Sequence, residues 1–180
     1  LTGNITTFTY GTSNQISGSE TKNASGVTIS TSAYQIGIDG RARIASQTDK
    51  LTNNVTTFAY AANNQMTSSQ TTNVVSQKVL STTTYELGAD GQARAASQKD
   101  DLTGAVTTFT YAANNQLTAS VTKLGTVTLS TASYQIGIDG QARIASQTDS
   151  LTGNVTTFAY SANNQIASSK TVSASETTIS

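Results

Sequence analysis

Leu51-Thr-Asn-Asn-Val-Thr-Thr-Phe-Ala-Tyr60 decides the fold, because the chain writes this segment four times. It recurs as Leu1-Thr-Gly-Asn-Ile-Thr-Thr-Phe-Thr-Tyr10, at Leu102–Tyr111 and at Leu151–Tyr160. The starts at 1, 51, 102 and 151 lie 50, 51 and 49 residues apart. A period of that size belongs to an array of supersecondary units, not to a single-core globule. The chain therefore reads as one repeat array over 1–180. Its long repeats are 1–50, 51–101, 102–150 and a partial one at 151–180.

Each long repeat is two short ones of about 25 residues, the spacing of the seven tyrosines at 10, 34, 60, 85, 111, 134 and 160. One half-unit has the form Phe58-Ala-Tyr-Ala-Ala-Asn-Asn-Gln-Met66, the other Tyr34-Gln-Ile-Gly-Ile-Asp-Gly-Arg-Ala-Arg43. Thr-rich β-branched runs alternate with Asn-Gln, Asp-Gly and Thr-Gly punctuation, a grammar of strands and turns. The only stretch that passes for a helical turn, 42–47, is too short to stand alone.

The Asp-Gly half-unit predicts a particular hairpin. A two-residue loop at Asp39-Gly40 would put Arg41 and Arg43 on the face of Tyr34 and Ile36. A three-residue loop, Ile38-Asp39-Gly40, with Gly40 left-handed, sets Ile36 opposite Ala42 and Tyr34 opposite Ile44. Gln35 and Arg43 then share the other face. This register separates apolar from polar and is preferred, since the buried face fixes strand register. The same geometry fits Ala62-Asn63-Asn64, with Asn64 left-handed and Phe58 and Tyr60 on a face with Met66 and Ser68. Turn positions are thus expected at Asn14, Gly40, Asn64, Gly91, Asn115, Gly140 and Asn164. The expected core strip is Phe8, Tyr10, Tyr34, Ile36, Phe58, Tyr60, Tyr85, Phe109, Tyr111, Tyr134, Ile136, Phe158 and Tyr160. A lone hairpin is marginal in water, so the hairpins must pair laterally into a strip, which then curls or meets another sheet. Its open edges could pair with further repeats or another molecule.

Composition narrows the function. The formal net charge is zero and only 11% of residues are charged. Nothing in that balance points to nucleic acid or a membrane surface. The absence of Cys and His removes thiol nucleophiles, imidazole bases, triads and ordinary zinc or haem ligation. No apolar run is long enough to span a bilayer, and no stretch of these 180 residues reads as a signal peptide. The start at a repeat boundary without Met, and the stop just before the next expected Tyr, read as an excerpt or processed piece of a longer array.

The half-units resemble the RHS/YD-repeat family. Gln147-Thr-Asp-Ser-Leu-Thr-Gly-Asn-Val-Thr-Thr-Phe-Ala-Tyr160-Ser-Ala-Asn-Asn-Gln-Ile166 follows the family's Thr-Asp-x-x-Gly-Asn-x-Thr-Thr segment and Tyr-rich hairpin. The likeness extends over the whole chain as seven degenerate units. The family's Tyr-Asp pair lacks its Asp: Gly11, Ala61, Ala112 and Ser161 stand there in one half-unit, Gly37, Gly88 and Gly137 in the other. The family's Gly is Asn in every first half-unit. The resemblance implies a β-hairpin strip spiralling into a shell or tube on secreted or surface proteins, enclosing a toxin cargo in some members and presenting adhesive surfaces in others.

The chemically suggestive residues have structural readings. Asp39, Asp90 and Asp139 recur singly, which favours turn geometry over calcium, a cation that wants several oxygens. Arg43, Arg94 and Arg143 recur at the repeat period and are expected to pair with Glu, Asp or Gln on a neighbouring hairpin rather than form a basic ladder for an anionic glycan. The Phe/Tyr ladder reads as core rather than a sugar-stacking platform. Thr56-Thr57 and its repeats point to opposite faces and make no flat Thr array. Asn4-Ile-Thr6, Asn54-Val-Thr56 and Asn154-Val-Thr156 match the glycosylation acceptor pattern. The expectation is a non-enzymatic, all-β extracellular or cell-surface protein without cofactor. It would build a fibre, sheath or surface layer by strand pairing, with itself as partner and glycan as a further candidate. The alternative is a shell segment around a toxin, or an adhesin stalk. A valine at Gly91 should disrupt its hairpin if that residue has positive φ.

Overall fold

The computed structural model describes residues 3–175 and 177–179, and among them every regular element is a β-strand. In chain order these are β1 (Ile5–Tyr10), β2 (Ile16–Lys22), β3 (Thr28–Ile36), β4 (Ala42–Asp49), β5 (Asn54–Tyr60), β6 (Met66–Asn73) and β7 (Lys78–Leu87). There follow β8 (Ala93–Asp100), β9 (Val106–Tyr111), β10 (Leu117–Leu124), β11 (Val127–Ile136), β12 (Ala142–Asp149), β13 (Val155–Tyr160) and β14 (Ile166–Val172). The stretch 42–47, the one with helical potential, lies in β4. The chain divides into two compact units, with the border between Glu86 and Leu87. In the first, β1 to β7 form an antiparallel meander, each strand paired to the next. In the second, β8 to β14 do the same.

The register follows the apolar pattern. Tyr34 stands opposite Ile44, Gln35 opposite Arg43 and Ile36 opposite Ala42. Gly37 N–H donates to Arg41 O and Gly40 N–H to Gly37 O, closing a tight turn on the three-residue loop. The Asn half-unit closes in the same way, with Ala61 N–H to Gln65 O and Asn64 N–H to Ala61 O. Gly40, Gly91 and Gly140 have φ of 74°, 76° and 77°; Asn14, Asn64, Asn115 and Asn164 have 56°, 66°, 66° and 65°. Those values fall in the left-handed region, which Gly and Asn enter at least cost.

One part of the sequence-derived pairing is corrected. Tyr60 faces Met66, but Phe58 faces Ser69, not Ser68. Thr67 is an extra residue in β6, a bulge that shifts the register by one beyond the turn. Its hydroxyl donates to Ala59 O across the pair at 3.2 Å. The bulge returns at the same place in the other hairpins, for example between Ala33 and Tyr34. It keeps Phe58, Tyr60, Met66 and Ser69 on one face, where an unbulged ladder would have turned Ser68 inward.

The aromatic strip is also corrected as a core. Among the described residues no hydrophobic side chain is fully buried. Phe58, Tyr60, Tyr34, Tyr85, Phe109, Tyr111, Tyr134, Phe158 and Tyr160 are half-buried, while Phe8, Tyr10, Ile36 and Ile136 are exposed. Within each unit the strands form a single layer, so a ring on that face is covered only from its sides. The more nearly buried side chains are small and polar, Ser69 and Ser120 at 9% and 8% exposure. They lie beneath tyrosine hydroxyls, at 3.3 Å from Tyr85 and 3.1 Å from Tyr134.

Candidate functional site

The densest polar constellation sits where an Asp-Gly turn meets the Asn turn of the next hairpin. Arg43, on β4, reaches back to its own turn and makes two parallel bonds to Asp39, Nη1 to Oδ1 at 2.7 Å and Nη2 to Oδ2 at 2.8 Å. Arg41 N–H adds a third bond to the carboxylate at 3.2 Å. Sideways, Arg43 Nε donates to Asn64 O at 3.3 Å, and Ile38 N–H donates to Asn64 Oδ1 at 3.0 Å. Asn64 thus does two things: its backbone makes the left-handed turn, and its side chain holds the neighbouring turn. The second unit repeats the arrangement. Arg143 binds Asp139 at 2.7 Å through each Nη and Asn164 O through Nε at 3.3 Å, and Ile138 N–H donates to Asn164 Oδ1 at 3.2 Å.

The middle copy is rewired. Ala89 N–H still donates to Asn115 Oδ1, at 2.8 Å. Arg94 Nη1, however, donates to that same Asn115 oxygen at 2.8 Å, and its guanidinium lies over the Tyr111 ring at 4.2 Å. Tyrosine hydroxyls add a second tie in all three places. Tyr60 donates to Ile44 O at 2.8 Å, Tyr111 to Ala95 O at 2.8 Å and Tyr160 to Ile144 O at 2.9 Å. Burial of the phenol pushes the Tyr60 pKa up.

These contacts give a reason for glycine at positions 37 and 137. A Cβ on Gly37 would overlap the Arg43 guanidinium and approach Asn64 Oδ1 to 2.5 Å; on Gly137 it would meet Asn164 Oδ1 at 2.6 Å. Any side chain there would displace the clasp. The arginines are a further correction: for Arg43 and Arg143 the carboxylate partner belongs to their own hairpin, and the neighbour gives the guanidinium a main-chain carbonyl, that of Asn64 or Asn164. Geometry decides this, because Arg43 lies within reach of a carboxylate four residues before it across a tight turn. With the guanidinium against it, the Asp39 carboxyl is held well below the usual carboxylate range, and Asp139 is lowered to about 2 by the same side-chain bond to Arg143. Both oxygens of each carboxylate face a cation already, which disfavours a metal ion there. Among the described residues no cluster of three or more acidic side chains could hold one.

At the opposite strand ends, Asp49, Asp100 and Asp149 cap the repeated Leu-Thr turns. Asp49 Oδ1 accepts from Leu51 N–H at 2.8 Å and Thr52 N–H at 3.3 Å, and Asp149 repeats this with Leu151 and Thr152 at 2.9 and 3.2 Å. Threonine pairs bridge the Asn hairpins: Thr56 to Thr71 and Thr107 to Thr122, each at 2.9 Å. Of the acceptor-pattern asparagines, Asn54 is engaged, its Oδ1 accepting from Asn73 Nδ2 at 2.9 Å.

No protein-family model matches the sequence. No curated protein matches it either. Solved structures do. A chain in the crystal structure of TcdB2-TccC3-Cdc42 superposes with a TM-score of 0.53 at 16% identity, covering 94% of this chain and 9% of that one. A Photorhabdus luminescens Tc holotoxin pore gives 0.45 at 13%, covering 98% and 8%. A porin-like protein from Bacteroides uniformis gives 0.44 at 15%, covering 93% and 81%. At such identities the likeness is one of fold. The chain spans less than a tenth of the length of the two toxin-complex chains.

Proposed function

We propose that this chain is a structural wall segment of an extracellular RHS/YD-type repeat protein, without catalytic activity of its own. The observation that carries the reading is the recurrence, in three places, of an Asn turn that holds the Asp-Gly turn beside it, with the arginine of that turn drawn into the same clasp. Asp39, Arg43, Asn64 and Tyr60 all bond within the meander. The fold likeness to a short stretch of the TcdB2-TccC3-Cdc42 structure supports a shell role. The wall would form through lateral strand pairing, Asn clasps and tyrosine ties, with Thr, Asn and Gln presented to solvent.

The second reading, a fibre or sheath assembled from copies of the array, is favoured by the unbroken repetition of the half-units. Electron microscopy of the material from its source separates the two. Hollow particles with internal density support the shell. Uniform fibres with an axial repeat built on the strand spacing of about 4.8 Å support the polymer and overturn the shell.

A further inference from the structure

Three Asp-Gly turns have the same backbone but different carboxylate surroundings. Asp39 and Asp139 are each held by two charge-assisted bonds from the arginine four residues on. In the middle turn the corresponding Arg94 is directed to Asn115 and Tyr111. Among the described residues the Asp90 carboxylate receives a single bond, from Gln92 N–H at 3.0 Å. Asp90 and Gly91 are exposed at the turn tip, and nothing lies within 4 Å of the space a Cβ on Gly91 would occupy.

We propose that Asp90-Gly91 is a site of spontaneous isoaspartate formation, and that the Arg43–Asp39 and Arg143–Asp139 pairs protect the other two turns. In the reaction the Gly91 backbone nitrogen attacks Asp90 Cγ. One carboxyl oxygen leaves as water, taking up the amide proton and the carboxyl proton, and a five-membered imide closes. Water then adds at the imide carbonyl derived from the main chain, leaving Gly91 joined through Cγ. The net change is isomerisation, with one water lost and one regained. The steps need a protonated carboxyl and a side chain free to rotate towards the next nitrogen. A guanidinium bonded to both oxygens holds the carboxylate from rotating; a single backbone bond leaves the other oxygen of Asp90 unheld. The product lengthens the main chain by one carbon at the turn and displaces Gly91 N–H from Gly88 O, its partner at 3.0 Å. The middle hairpin becomes the point at which the wall ages.

The test incubates the folded chain, and in parallel the chain unfolded in denaturant, at mildly acidic and neutral pH. Trypsin then separates the three turns into the peptides 23–41, 79–94 and 124–143. Isoaspartate in each is counted by isoaspartyl methyltransferase labelling and by fragmentation mass spectrometry. The ratio of folded to unfolded rate cancels the effect of the residue before each Asp. That ratio should be higher at Asp90 than at Asp39 and Asp139 by on the order of fivefold. Equal ratios at the three turns, or a lower one at Asp90, overturn the proposal. Arg43→Gln should raise isoaspartate at Asp39 alone. The comparison within the unaltered chain stands whether or not that variant folds.

Discussion

Asn64 Oδ1 accepts the backbone N–H of Ile38 at 3.0 Å while Asn64 itself sits at φ 66°. One residue closes its own turn and holds the turn beside it. Glycine would satisfy the first demand and not the second, which accounts for Asn at 64, 115 and 164. Asn64→Gly should keep the hairpin and lose the clasp, at about 1 kcal/mol. Asn64→Ala should lose the clasp and also pay the left-handed penalty of about 1 kcal/mol more. Denaturant unfolding of the two variants checks the order; equal losses would mean that the left-handed backbone carries no penalty, and no loss in Asn64→Gly would mean that the side-chain bond contributes nothing.

Two glycines three residues apart should respond differently. Gly40 has φ 74° and open space around a hypothetical Cβ, so Gly40→Ala suffers backbone strain alone, about 1 kcal/mol. At Gly37 a Cβ would run into Arg43 and Asn64, so Gly37→Ala should eject the guanidinium from the clasp. The readout is the coupling of each glycine variant to Arg43→Gln in a double-mutant cycle. Strong coupling is expected for Gly37 and little for Gly40. Gly91→Val, a β-branched residue at φ 76°, should be worse than Gly91→Ala.

The all-β class and the hairpin register were legible in the sequence because apolar and polar residues separate cleanly in only one of the two loop lengths. Tyr34 opposite Ile44 follows from that separation alone. The bulge at Thr67 was not legible, since the same bulge forms at Ala45 and Ala167, which share no side-chain chemistry with Thr67. The clasp was hidden for a different reason. Which Asn meets which Asp-Gly turn depends on lateral neighbours, and sequence periodicity fixes the spacing of hairpins without fixing their contacts. The visible trace was the constant Gly-to-Asn exchange. The half-exposure of Tyr60 and its relatives was illegible because an amphipathic strand reads the same whether or not a second layer covers it.

Acid should loosen the hairpin tips. The folded Asp139 has a pKa of about 2, and Asp39 is also lowered, whereas an unfolded Asp titrates near 3.9. Between those values the unfolded chain binds more protons, so the stabilisation is complete above about pH 5 and is lost as pH falls towards 2. Asp49, Asp100 and Asp149, lowered by bonds from their Leu-Thr turns, act in the same direction. Thermal midpoints measured from pH 7 to pH 2 should be flat and then decline. High salt should shrink the share from the exposed Asp–Arg pairs. A midpoint rising on acidification would contradict the assignment.

The Ser120–Tyr134 pair tests whether a nearly buried polar contact steadies a single-layer sheet. Ser120 is 8% exposed and its Oγ lies 3.1 Å from the Tyr134 hydroxyl. Tyr134→Phe leaves Ser120 with an unmatched hydroxyl and should cost on the order of 1–2 kcal/mol, because desolvation is retained while the bond is lost. Ser120→Ala removes the other half and leaves the phenol, which can still turn towards water. Replacing both removes the unmatched group as well as the bond, so the double variant should be more stable than the sum of the single losses implies. Simple additivity in chemical denaturation would mean that the two hydroxyls do not interact and that the serines are small only to make room for the rings.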